Sequence, residues 1–192
     1  MTPSPRRHVA HAILAVVLAL SSTARAIEAA PPGLSGLSDL SGLWERTDRA
    51  ADDVQRNEEI KRITASMSLL VRGIARAVMA HAMAPPERYA IRVADPGLAI
   101  RADDDDEQLM HLNGEPEADV MATARSVEGG FEQPWQHGER SRGTTLWRLS
   151  ADATRLTVTS SVQDTRFDGK LVYSTTYRRL PVAETSMIGI SQ

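Results

Sequence analysis

Apolar and polar side chains alternate with period two through most of the second half of the chain. Between residues 144 and 180 three runs do so: Thr145, Trp147 and Leu149; Leu156, Val158, Ser160 and Val162; and Leu171, Tyr173, Thr175 and Tyr177. Successive residues of a strand point to opposite faces, so this alternation predicts three half-buried antiparallel strands. Ser150-Ala151-Asp152 separates the first two and Asp168-Gly169 the last two, glycine being free to take positive φ in a tight turn. Upstream, Tyr89, Ile91 and Val93 share one strand face, and Leu98, Ile100 and Ala102 follow across Asp95-Pro96-Gly97. Residues 108–112 read as another strand, closed by a hairpin turn at Asn113-Gly114. Residues 117–127 form a weaker strand, with Val120, Ala122 and Ala124 on one side. Residues 131–142, which include Pro134, carry no clear period and read as a loop with a short edge strand at most.

Between residues 52 and 83 the period becomes helical. Ile60, Ile63, Met67, Leu70, Ile74 and Val78 recur at spacings of three and four and line up as one apolar stripe. Pro85-Pro86 ends the helix, since proline lacks the N–H donor and restricts the residue before it. An unbroken helix of that length would run about 48 Å, longer than a small barrel is wide. A break is therefore expected, with residues 64–68 and Gly73 as its weak points. The stripe has two uses: to cover the sheet, or to meet a partner or a lipid surface.

The start of the chain follows a different logic. Arg6 and Arg7 precede an uncharged apolar run over residues 10–20, and Ala24-Arg25-Ala26 is a small-x-small site. That pattern predicts a signal peptide over residues 1–26, cleaved near Ala26, and a secreted, periplasmic protein. The run is shorter than the roughly 20 apolar residues a bilayer span needs, and no later segment qualifies. Residues 27–40, rich in Ala, Pro, Gly and Ser, read as a linker, and 182–192 as a tail in which Met187, Ile188 and Ile190 are apolar. What lies between, 41–181, is the size of a single domain.

Charge and composition narrow the function. Residues 1–26 hold three arginines and no acid, so removing them takes the formal charge from −3 to −6. An acidic balance without a basic patch argues against nucleic-acid binding. The chain has no cysteine, hence no disulfide and no thiolate metal site. His81, His111 and His137 lack the spacing that places two imidazoles on one metal, and the run Asp103-Asp104-Asp105-Asp106-Glu107 lacks the glycine of a calcium loop. No nucleophile-elbow or Ser-x-x-Lys pattern is present. The expectation is a non-catalytic protein without metal or cofactor.

The order of pieces carries a resemblance. Gly42-Leu43-Trp44 opens the domain, a helical insertion follows, and an antiparallel meander ends in Tyr177-Arg178-Arg179. This layout resembles the calycin barrels, the lipocalins and fatty-acid-binding proteins, and small secreted bacterial barrels of lipocalin-like type. The resemblance implies that Trp44 closes the barrel floor, with Arg178 or Arg179 packed across it. It also implies an interior, lined by Tyr89, Ile91, Val93, Leu156, Val158, Tyr173 and Tyr177, that takes a small apolar or amphipathic ligand. The helical insertion is similar to the cover of a fatty-acid-binding barrel. In that group an Arg-x-Tyr pair holds the ligand carboxylate; with Tyr177 as the tyrosine, Thr175 occupies the arginine position.

The sequence thus predicts a mainly β protein with one helical segment, its antiparallel meander of seven or eight strands forming a small barrel or strongly curved sheet. Two functions fit: an interior site for a small hydrophobic ligand, or a filled barrel serving as an envelope structural or protein-interaction module that docks through its helix.

Overall fold

A computed structural model describes residues 38–94, 97–112 and 123–181. The predicted signal segment 1–26, most of the linker, the turns at Asp95-Pro96 and Asn113-Gly114, the first part of the weak strand 117–127 and the tail 182–192 lie outside the described residues.

Nine strands among the described residues close into a barrel in sequence order. A short 3-10 turn, Ser38–Leu40, leads into β1 (Gly42–Arg46). The helices α1 (Arg49–Ile63) and α2 (Leu69–Ala82) follow, and then β2 (Arg88–Ala94), β3 (Gly97–Ala102) and β4 (Gln108–Leu112). The remaining strands are β5 (Thr123–Val127), β6 (Gly130–His137), β7 (Ser141–Leu149), β8 (Arg155–Asp164) and β9 (Lys170–Arg179). β1 closes the barrel by pairing with both β2 and β9. The three runs of clean alternation became β7, β8 and β9, in full antiparallel register. Gly169, in the last turn, has φ of +86°.

Three features depart from the pattern-based expectation. The strands among the described residues number nine, not seven or eight; the helical segment breaks where expected, into two helices, over residues 64–68. Residues 131–142 are not a loop: they supply most of β6 and the start of β7. Phe131, Gln133 and Trp135 do alternate there, and Pro134 is tolerated because β5 pairs with β6 only as far as Glu132, leaving that edge free of ladder bonds. Finally, β4 and β5 do not form the antiparallel hairpin that Asn113-Gly114 suggested. They pair in parallel, His111 beside Thr123 and Leu112 beside Ala124. The ten intervening residues are long enough to return along a strand rising about 3.3 Å per residue.

β1 is short, so the edge of β9 that faces away from β8 has no strand partner before Tyr177. The polar face of α1 fills this gap. Thr176 N–H donates to Asp52 Oδ2 (3.0 Å), Ser174 N–H to Gln55 Oε1 (3.3 Å) and the Arg62 guanidinium to Lys170 O (2.6 Å). A backbone hydrogen bond from Val172 to Glu59 completes the series. Positions 52, 55, 59 and 62 follow the spacing of one helix face, so α1 stands in for a tenth strand through its side chains.

Candidate functional site

Inward-facing residues stack in rungs across β6 to β9. Phe131, Trp147, Val158 and Thr175 are direct neighbours in register, and next comes Gln133, Thr145, Ser160 and Tyr173. The rung beyond is Trp135, Gly143, Val162 and Leu171. Gly143 is required here: a Cβ would lie 2.3 Å from the Trp135 ring and 2.1 Å from Ser161 O.

Two apolar clusters sit on either side of the polar rung. At the β1 end Leu40, Trp44, Ile91, Leu98, Phe131, Trp147, Leu156, Val158 and Tyr177 pack together, with Tyr89 against them. Tyr89 meets Trp147 edge-on at 4.8 Å, and Phe131 stacks on Trp147 at 5.2 Å. At the helical end Val162, Leu171 and Tyr173 pack with Ile60 and Ile63 of α1, and Met79 and Ala80 of α2 join them with Met83 just past its end. The helical hairpin is therefore a plug whose apolar side chains reach into the barrel end.

The predicted floor residues divide. Trp44 is fully buried, and its indole N–H donates to Leu40 O at 2.9 Å. Arg179 stacks over the Trp44 ring, its guanidinium carbon 4.7 Å from the ring centroid, and donates to Asp39 O. Arg178 points the other way and pairs with Glu45 at 2.8 Å, a bond that, ahead of the opposing effect of burial, lowers the Glu45 pKa. Leu40, placed by composition at the end of a linker, belongs to the core.

Of the predicted interior set, Tyr89, Ile91, Leu156, Val158 and Tyr177 gather at the floor end and Tyr173 joins the plug. Val93 does not belong to the interior: near the end of β2 it is 48% exposed. Burial raises the hydroxyl pKa of Tyr89, Tyr173 and Tyr177, and Tyr177 donates to Pro86 O at 3.0 Å. Trp147 Nε1 is buried without a hydrogen-bond partner.

Residue patterning did not anticipate the polar network under α1. Arg46, Asp52 and Arg56 are buried together. Asp53 accepts from Arg46 at 2.5 Å and pairs with Arg56 at 2.8 Å. Burial alone would raise Asp53, but these two cations outweigh it and hold its pKa below the usual value. Asp52 is raised, because burial there exceeds the help from Thr176 N–H and Arg46.

Nor did it anticipate the orientation of α2. Thr64 is buried at the end of α1, its hydroxyl donating to Ile60 O at 2.7 Å and accepting from Arg76 Nε at 3.0 Å. Arg72 donates to Ala65 O (2.7 Å) and Met67 O (2.8 Å). Both arginines thus cap the carbonyl end of α1 and its turn, where a cation is favoured. They fix the inner face of α2 and turn the opposite face outward: Leu69 is 82% exposed, Leu70 85% and Ile74 68%, and Val71 and Val78 are more than half exposed. The stripe expected to cover the sheet splits, with Ile60 and Ile63 inside and Leu70, Ile74 and Val78 in solvent.

Outside the barrel an open groove of about 430 Å³ runs between the β6–β7 and β8–β9 turns, lined by Gln136, Arg140, Arg142, Gln163 and Phe167. Beside it Asp164 is saturated by Arg166 and Ser141, and the Arg166 hydrogen bond, ahead of the opposing burial, holds its pKa well below the usual carboxylate range. The acidic run is structural too: Asp103 accepts Arg88 N–H at 2.8 Å, and Glu107 pairs with Arg92. No group of three metal-capable side chains occurs among the described residues.

Compared with known protein families, curated proteins and solved structures, the chain matches none.

Proposed function

We propose that this chain is a secreted, periplasmic interaction module: a filled, lipocalin-type barrel that presents the outer face of α2 to a macromolecular partner. The observation that carries the reading is the inverted orientation of α2. Its arginines are spent on the chain's own carbonyl and hydroxyl oxygens while five large apolar side chains meet water. Contiguous apolar patches beyond about 300–600 Å² are unusual on soluble monomers and mark interaction sites. Secretion rests on the pattern of residues 1–26, and the lipocalin likeness on the Gly42-Leu43-Trp44 opening, the Arg179–Trp44 stack and the barrel order. No helix among the described residues is long and apolar enough to cross a membrane.

A second reading, a small amphipathic ligand held inside, is favoured by one observation. Gln133, Thr145, Ser160 and Tyr173 form a polar belt between two apolar clusters, next to the rung that carries the unpartnered Trp147 Nε1. One experiment separates the two. A hydrophobic fluorescent dye, added to dilute protein, should bind at α2 and lose most of its signal in Ile74→Glu. Signal that survives the substitution and is competed away by a fatty acid places the function in the barrel instead.

A further inference from the structure

The interaction reading leaves the partner open, and the geometry points to a second copy of this chain; this inference rests on that reading. The outer face of α2 carries Leu70 at one end and Val78 at the other, with Ile74 midway and Val71 at its edge; Leu69, also exposed, lies about 140° round the helix from Ile74. Gly73 lies on the same face, and a Cβ built there meets nothing within 4 Å; Ala77 is also exposed. A two-fold axis through Ile74 sets Ile74 against its own copy and Leu70 against the second copy's Val78, since the two lie four residues to either side. Small residues beside the axis let the backbones approach, and the antiparallel crossing opposes the two helix dipoles.

Area and charge support this occupant over others. Leu70, Val71, Ile74 and Val78 offer roughly 450 Å² per copy and about 900 Å² for the pair, the size of a weak and reversible interface. Anionic bilayer surfaces are met by helices whose polar flanks carry free cations. Here Arg72 and Arg76 are tied to Ala65, Met67 and Thr64, and Lys61 pairs with Glu58 at 2.6 Å. Both arginines of α2 thus turn away from the exposed face, which carries no arginine, lysine or acid of α2 and suits an apolar surface of its own kind.

The test is sedimentation velocity on the protein as the expressing cell processes it, between about 1 and 100 µM, the range in which a small interface of this kind dissociates. The mass should rise from one protomer to two. Ile74→Glu and Leu70→Glu, both at exposed positions and so compatible with folding, should hold it at one. A single Val78→Cys, in a chain without other cysteines, should react fast with a thiol reagent at 1 µM and at least several-fold more slowly at 100 µM. A monomer at 100 µM overturns the dimer. If Val78→Cys then still reacts fast, the face is presented and only the partner is wrong. If it is unreactive at every concentration, the interaction reading falls as well.

Discussion

Trp44 shows how much of this fold is decided by one side chain. Its indole is sealed by the buried Leu40 carbonyl on one side and by the Arg179 guanidinium on the other, so truncation removes both a large apolar volume and a satisfied donor. Trp44→Ala should cost about 3–5 kcal/mol, measured by urea denaturation. A loss below about 1 kcal/mol would mean that the floor is not a sealed core. Trp44 and its arginine were legible in the sequence because a Gly-x-Trp opening and a closing Tyr-Arg-Arg are local signals. Which arginine faces inward was left open by the resemblance; the structure selects Arg179, in line with the alternation that points Tyr177 inward. The buried Arg46, Asp52 and Arg56 were not legible, because charged residues near a helix start read as solvated until the unpaired edge of β9 is seen beside them.

At the level of elements, α1 is held by hydrogen bonds to the β9 edge as well as by apolar packing. Its N-terminal half buries Asp52 and Arg56, and only its C-terminal half buries Ile60 and Ile63. Asp52→Ala removes the acceptor for Thr176 N–H while leaving the β8–β9 ladder in place. Hydrogen exchange at Thr176 should then accelerate about tenfold, the equivalent of one lost hydrogen bond, with the Trp147 and Val158 amides unchanged. Uniform acceleration across β8 and β9 would show that the residue supports the whole barrel and not the edge alone. The break between α1 and α2 was foreseen from poor helix formers. The outward turn of α2 was not, because periodicity locates an apolar stripe but does not say which way it faces. Arg72 and Arg76 settle that by binding the Ala65 and Met67 carbonyls and the Thr64 hydroxyl, acceptors presented where α1 ends at Ile63. In the same way, Asn113-Gly114 signals a hairpin locally, whereas the β4–β5 pairing is set by how the whole barrel closes.

For the whole molecule, a barrel packed at both ends contrasts with an outer helix face left bare. One cluster is sealed by Trp44, the other is plugged by Ile60, Ile63, Met79 and Met83, and the polar belt lies between them. Mainly β architecture and a packed helical segment followed from alternation and layout; closure, as against a strongly curved sheet, is set by β1 pairing with both β2 and β9. The surface proposed for function did not, since it depends on tertiary hydrogen bonds. The central claim, filled inside and apolar outside, is tested most directly by comparing two single cysteines in this otherwise cysteine-free chain, Leu70→Cys on α2 and Val158→Cys in the barrel wall. At submicromolar protein, Leu70→Cys should label at close to the rate of a free thiol, and Val158→Cys at least about a thousandfold more slowly, waiting on unfolding. Comparable rapid labelling at both positions would mean an open, accessible interior, and a protected Leu70→Cys would mean that α2 packs with its apolar face inward; either result contradicts the account.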